Sequence, residues 1–160
     1  MAAELWLKRF RALHAAAKKG SLSAAELVSY RSGRDELARA LLAAQNATVR
    51  AGESPRRQLR AALALQLELD LGREKVKALT LDVSSGGVGL LLAKPPVLGD
   101  VLKASLRLPG QEPVAGVVRV VDVKVLPGNA RVALAWNALP AGEVERLELL
   151  VFDRVLEQIG

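Results

Sequence analysis

The chain changes its hydrophobic period once, and that change limits its possible folds more than any other feature. Leu63, Leu65, Leu67, Leu69 and Leu71 alternate with Ala64, Gln66, Glu68 and Asp70. A period of two puts the leucines on one face of an extended strand and the polar groups on the other. Upstream, Trp6, Phe10, Leu13 and Ala17 are spaced four, three and four residues apart, which is one face of a helix. Between the two patterns, residues 51–55 (Ala, Gly, Glu, Ser, Pro) have the composition of a linker.

The helical third carries its own punctuation. Gly20 is expected to end the first helix. Ser23 and Glu26 form a capping box that starts a second. Gly33 is expected to stop that one, with Asp35 in the first turn of a third helix running to about Val49. Leu37, Leu41 and Ala44 would face inward. Helices this short are not stable alone, so residues 1–50 read as a three-helix module, with 51–60 as linker and 61–160 as the second domain.

The second domain reads as strands. After Leu63–Leu71 come Val76–Val83, with Leu79, Leu81 and Val83 on one side, then Gly89–Leu92, broken by Pro95 and Pro96. Val101–Leu108 alternates with Lys103, Ser105 and Arg107 outward. Val114–Val125 slips phase near Val120 and Val121, as a β-bulge would. A turn at Pro127, Gly128 and Asn129 leads to a last strand with Val132, Leu134 and Trp136 on one face. Val144, Leu147, Val151, Val155 and Ile159 mark a C-terminal amphipathic helix. Six short strands with frequent turns predict a small antiparallel barrel or sandwich. The fold class is α+β: three helices, then six antiparallel strands, read as a six-stranded barrel once the resemblance below is added, then a terminal helix.

Composition narrows the function. Without Cys and with His14 as the lone histidine, the chain offers no disulfide, zinc finger or Cys nucleophile. His14 has no partner signature for a triad and is read as a bundle residue. No catalytic set and no metal site is expected, and no protein cofactor. No Gly-rich loop ends in Lys-Ser or Lys-Thr. Gly87-Val-Gly89 lacks the third glycine and the following helix of a dinucleotide fingerprint. The charged N-terminus lacks a signal-peptide core, and the longest apolar run, Val88–Ala93, is too short to span a bilayer. Cytoplasmic residence without membrane insertion is expected. The net charge of +6 attracts anions.

Two clusters carry the chemistry. Arg56, Arg57 and Arg60 lie at the joint between helices and barrel; Asp82, Ser84, Ser85, Gly86 and Gly87 lie at the end of the second strand. A guanidinium fork fits phosphate oxygens or the O6/N7 edge of guanine. A carboxylate accepts from guanine's N1–H and N2–H, and a serine hydroxyl is an adaptable partner. The two glycines would let the backbone turn sharply beside a ligand.

These segments resemble the PilZ signature, RxxxR followed by (D/N)xSxxG: Arg56 and Arg60, then Asp82, Ser84 and Gly87. The resemblance covers about Ser54 to Gly160. It implies a cyclic di-GMP receptor without turnover, with Arg56 and Arg60 on phosphates and guanine edges, Arg57 as an extra cation that many members share in the ligand site, and Asp82 and Ser84 on guanine. Gly87 would keep the turn open, and Ser85, Gly86 and Trp136 are secondary candidates. The chain departs from the family at Ala133, where Gly is common, and at Trp136, where Phe is usual. The helices resemble a three-helix extension found ahead of some PilZ domains of delta-proteobacterial type. Arginines on the linker imply an order–disorder switch read by an unidentified downstream protein. The alternative is a basic nucleic-acid-binding or protein-interaction module on a degenerate PilZ-like barrel; nucleic acid is not the expected partner.

Overall fold

In the computed structural model, which describes residues 2–46 and 59–159, Gly20 takes φ +70° and closes helix α1 (Ala2–Lys19). The capping box then starts α2 (Ala24–Asn46): the Glu26 N–H donates to Ser23 Oγ at 3.1 Å, and the Ser23 N–H donates to Glu26 Oε1 at 3.0 Å. The helix does not stop at Gly33. Two helices therefore stand where three were expected.

The reason lies in packing. A Cβ at Gly33 would come within 3.0 Å of Phe10 Cδ1 and 3.6 Å of Trp6 Cζ2. Gly33 is a notch that lets the α1 aromatics lie against α2, and the helix bears the roughly 1 kcal/mol propensity cost of an interior glycine. Ala44, expected inward, is exposed.

The chain divides into two units: Met1–Leu59 with Phe152–Gly160, and Arg60–Val151. The first unit is built around an aromatic stack. Phe10 lies parallel to Trp6 and nearly parallel to Tyr30, at 5.4 Å centroid separation in each case, and meets Phe152 edge-on at 6.4 Å. Such pairs add about 0.5–1.5 kcal/mol each beyond area burial. His14 is buried here, with Nδ1 2.7 Å from the Tyr30 hydroxyl. Arg11 Nη2 donates to the Leu156 carbonyl at 2.8 Å and Lys18 Nζ to Asp153 Oδ1 at 2.7 Å, tying α1 to the last turns of α3 (Ala141–Ile159).

The second unit is a closed antiparallel barrel. Its strands are β2 (Gln66–Asp70), β3 (Lys75–Ser84), β4 (Gly87–Leu92), β5 (Val101–Leu106), β6 (Val114–Leu126) and β7 (Asn129–Asn137). They run in the order β3-β2-β5-β6-β7-β4, and β4 pairs back onto β3 to close the ring. Among the described residues, closure leaves the barrel strands without an open edge to template aggregation. A two-residue strand, β1 (Arg60–Ala61), pairs with β3 at Ser84 and Val83, in line with β2. Of the expected first strand, Leu63–Leu71, the regular ladder covers Gln66–Asp70.

Leu65, Leu67, Leu69, Val83, Leu90, Leu106, Val114, Val118, Val120, Val132 and Leu134 fill the interior. Each contributes about 1.5–3 kcal/mol of transfer free energy. In α3, Leu147 and Val151 are buried within the barrel unit and Val155 within the helical one. Ile159, also expected on this face, has a side chain outside the described residues. No described helix is long and apolar enough to cross a membrane.

Two bulges interrupt the pleat. One leaves Val121 unpaired in β6 opposite β7, at the expected phase slip; the other leaves Leu81 unpaired in β3 opposite β4. The second overturns the expected face of β3. Leu79 and Leu81 are exposed, while Thr80 and Val83 are buried. Thr80 pays no polar penalty, because its Oγ1 donates to the Leu63 carbonyl at 2.5 Å and accepts from the Leu65 N–H at 2.9 Å.

Candidate functional site

The Leu81 bulge aims the site. Strict alternation after the buried Thr80 would turn Asp82 into the barrel. The extra residue reverses the parity, so Val83 points in and Asp82 points out. Asp82 then shares the outer face with Arg60, whose register partner is Ser84. Arg60 Nη1 donates to Asp82 Oδ2 at 3.2 Å. On the other side, Arg131 Nη2 lies 3.7 Å from the same oxygen. The Asp82 side chain is 17% exposed, against 36% for Arg60 and 52% for Arg131. A half-sheltered carboxylate thus sits between two guanidiniums that reach water.

The floor beside it is made of small residues. Asp82 is paired with Gly89, and Gly89 with Ala133; Gly87 is paired with Ala135. These positions face outward, leaving a shallow surface on which a flat ring could lie. The departure at Ala133 adds one methyl group to that floor.

Ser84 organises the turn between β3 and β4. Its Oγ accepts from the N–H groups of Gly86 at 3.2 Å and Gly87 at 3.1 Å. The Gly86 carbonyl accepts from the Trp136 N–H at 2.9 Å, fixing the turn to β7. Ser85 is buried at 8% exposure.

The role expected of Gly87 needs correction. It does not take a positive φ. A Cβ there would lie 1.9 Å from the Leu134 carbonyl oxygen. The position demands glycine because the β7 backbone passes too close for any side chain.

Trp136 pairs with Val118 on the inner face, and its ring packs near Gly116, whose notional Cβ would lie 3.4 Å from Cζ3. Its buried Nε1 has no hydrogen-bond partner among the described residues. The indole therefore lies at the barrel's end, away from the outer floor. Arg56 and Arg57 lie outside the described residues. Among the described residues, no group of three or more His, Cys, Asp or Glu could hold a metal.

Gly89 and Arg131 escaped sequence reasoning. Gly89 stands two residues beyond the motif, a signal that was present. Arg131 is 49 positions from Asp82, and only the β4–β7 register brings them together.

Comparison with known proteins places this site in context. The PilZ domain family model matches residues 54–153. The inhibitor of motility MotI/DgrA of Bacillus subtilis aligns at TM-score 0.60 and 20% identity, over 66% of this chain and 54% of that one. The PilZ domain of YcgR from Escherichia coli, solved with c-di-GMP, aligns at 0.56 and 18%, over 66% of this chain and 95% of that one. MrkH of K. pneumonia, in its c-di-GMP complex, aligns at 0.57 and 20%, over 67% and 55%. The chain thus spans about half the length of MotI and MrkH, and these likenesses establish the barrel fold. No curated protein sequence matches the chain.

Proposed function

The chain belongs to the PilZ domain family, and from that premise we propose that it is a receptor for cyclic di-GMP that binds without turnover. The observation that supports this best is the pairing of Arg60 with Asp82, 22 residues apart, on one outward face of the barrel. Two signature elements that are separate in sequence meet at 3.2 Å beside a floor of small residues.

In this reading Asp82 accepts the N1–H and N2–H of a guanine lying on Gly89 and Ala133. Arg60 turns from Asp82 to a phosphate or to the guanine O6/N7 edge, with Arg56 and Arg57 closing from the linker. Ser84 holds the turn and offers its hydroxyl. Gly86 and Ser85 contribute shape, and Trp136 supports the end of the β7 strand. The ligand orders the linker between a helical module at 1–50 and the barrel at 61–160. That ordering passes occupancy to a downstream protein in the cytoplasm. The coupling requires tighter binding to the ordered state than to the loose one.

Calorimetric titration tests this with cyclic di-GMP, GTP and cyclic di-AMP on the native chain, Arg60→Ala and Asp82→Ala. Selective binding at micromolar affinity or tighter is expected for cyclic di-GMP, about −8 kcal/mol or more favourable. Both variants should lose it. Equal binding of all three nucleotides, or native affinity in Asp82→Ala, would reject the guanine-reading role.

A further inference from the structure

Arg131 stands on the side of Asp82 opposite Arg60. In β7 it is the register partner of Leu91 in β4 and of Lys124 in β6. Its guanidinium reaches back across β4 to within 3.7 Å of Asp82 Oδ2. The path is open because Gly89 and Ala133 form the row between them.

Lys124 supplies a second, independent observation. It faces Arg131 directly across the β6–β7 pair, and both are exposed. Like charges in opposed positions destabilise a sheet. Asp122, two residues away on β6, makes no ion pair with either among the described residues. With Asp82 as the sole counter-ion that the two cations have nearby among the described ion pairs, this corner of the barrel carries an excess of positive charge that attracts an anion.

We propose that Arg131, with Lys124 beside it, is a further ligand-binding element that takes a phosphate of the dinucleotide on the side of Asp82 away from Arg60. The proposal rests on the receptor reading above. In the free protein Asp82 serves as counter-ion to Arg131. Once a guanine edge occupies the carboxylate, the guanidinium is released to grip phosphate oxygens with two parallel N–H bonds. A cyclic dinucleotide carries two phosphates on opposite sides of its ring. Cations flanking the guanine-reading carboxylate on both sides match that layout.

The test is titration of cyclic di-GMP at low and high salt into the native chain, Arg131→Ala, Arg131→Lys, Lys124→Ala and Arg60→Ala. Lys103→Ala, an exposed position on β5, serves as control. Arg131→Ala should weaken binding about tenfold at low salt, the loss of one charge-assisted contact. The loss should shrink at high salt, because a phosphate contact is screened. Arg131→Lys should recover part of the affinity, Lys124→Ala should lose about threefold, and the control should match the native chain. If Arg131→Ala is poorly folded, the lysine variant and Lys124→Ala decide the question through the same salt dependence. Native or tighter affinity in the Arg131 and Lys124 variants, with Arg60→Ala inactive, would overturn this inference and leave the receptor reading standing. Failure of the native chain to bind would overturn both.

Discussion

The carboxylate of Asp82 occupies the space that a side chain at position 89 would fill. A Cβ on Gly89 would lie 2.8 Å from Asp82 Oδ1 and 3.3 Å from its Cγ. Glycine at 89 is thus what lets the carboxylate lie across β4, between Arg60 and Arg131.

Gly89→Ala separates binding from folding. The group it meets is the far end of a side chain, which can swing away, so the stability change should stay within about 1 kcal/mol. The displaced carboxylate no longer meets a guanine edge, and affinity for cyclic di-GMP should fall by about tenfold or more. Thermal melts and titration of the same sample check both halves. A large loss of stability would mean that Asp82 is held rigidly.

Gly87→Ala should do the reverse. Its Cβ would meet the Leu134 carbonyl oxygen at 1.9 Å, and neither backbone can yield without opening the β4–β7 ladder. A loss of about 2–4 kcal/mol is expected, as for overpacked cores. The melting temperature should drop by roughly 4–16 °C at this chain length. The drop should be the same with and without ligand-site substitutions such as Asp82→Ala. A near-native melt would show that β7 is not pinned there.

His14 gives the fold a pH dependence. Burial lowers its pKa from the usual 6.5, Lys18 and Arg34 push it the same way, and Asp153, 3.5 Å from Nε2, opposes them. The Tyr30 hydroxyl, 2.7 Å from Nδ1, can hydrogen-bond the neutral ring in either tautomer. The unfolded chain therefore binds a proton more readily than the folded one. Stability from this group is complete above about pH 6.5 and is lost as pH falls through the lowered folded-state value. Denaturant midpoints at pH 8, 6.5 and 5 should decline more steeply for the native chain than for His14→Gln. Parallel declines would assign the acid sensitivity to other groups.

The barrel was legible because its signals are local. The Leu63–Leu71 alternation, the Val120–Val121 slip and the Pro127–Gly128 turn each act over a few residues, and each has its counterpart in β2, β6 and the β6–β7 hairpin. The misread elements depend on partners far away in sequence. Gly33 looks like a helix stop unless Phe10 and Trp6 are known to press against it. Leu79 and Leu81 look like core residues beside Val83, but the β2 register faces Leu79 outward and the bulge at Leu81 puts Val83 alone of the three inside. The same bulge faces Asp82 toward solvent, so the site's orientation could not be read from the motif alone. Gly87 carries an expected conformational reason in the motif, whereas its need for glycine comes from the approach of β7, which no local pattern marks. Arg131 carries no local mark and enters only through strand register.

Amide hydrogen exchange with and without saturating cyclic di-GMP reads occupancy and location of the ligand together, and so decides whether the Arg60–Asp82 face is the binding site. Protection should concentrate at the linker arginines through Ala61, at Asp82–Gly89 and around Arg131, and none of it should appear in Asp82→Ala. Unchanged exchange in those segments, or protection confined to another face of the barrel, would contradict that assignment.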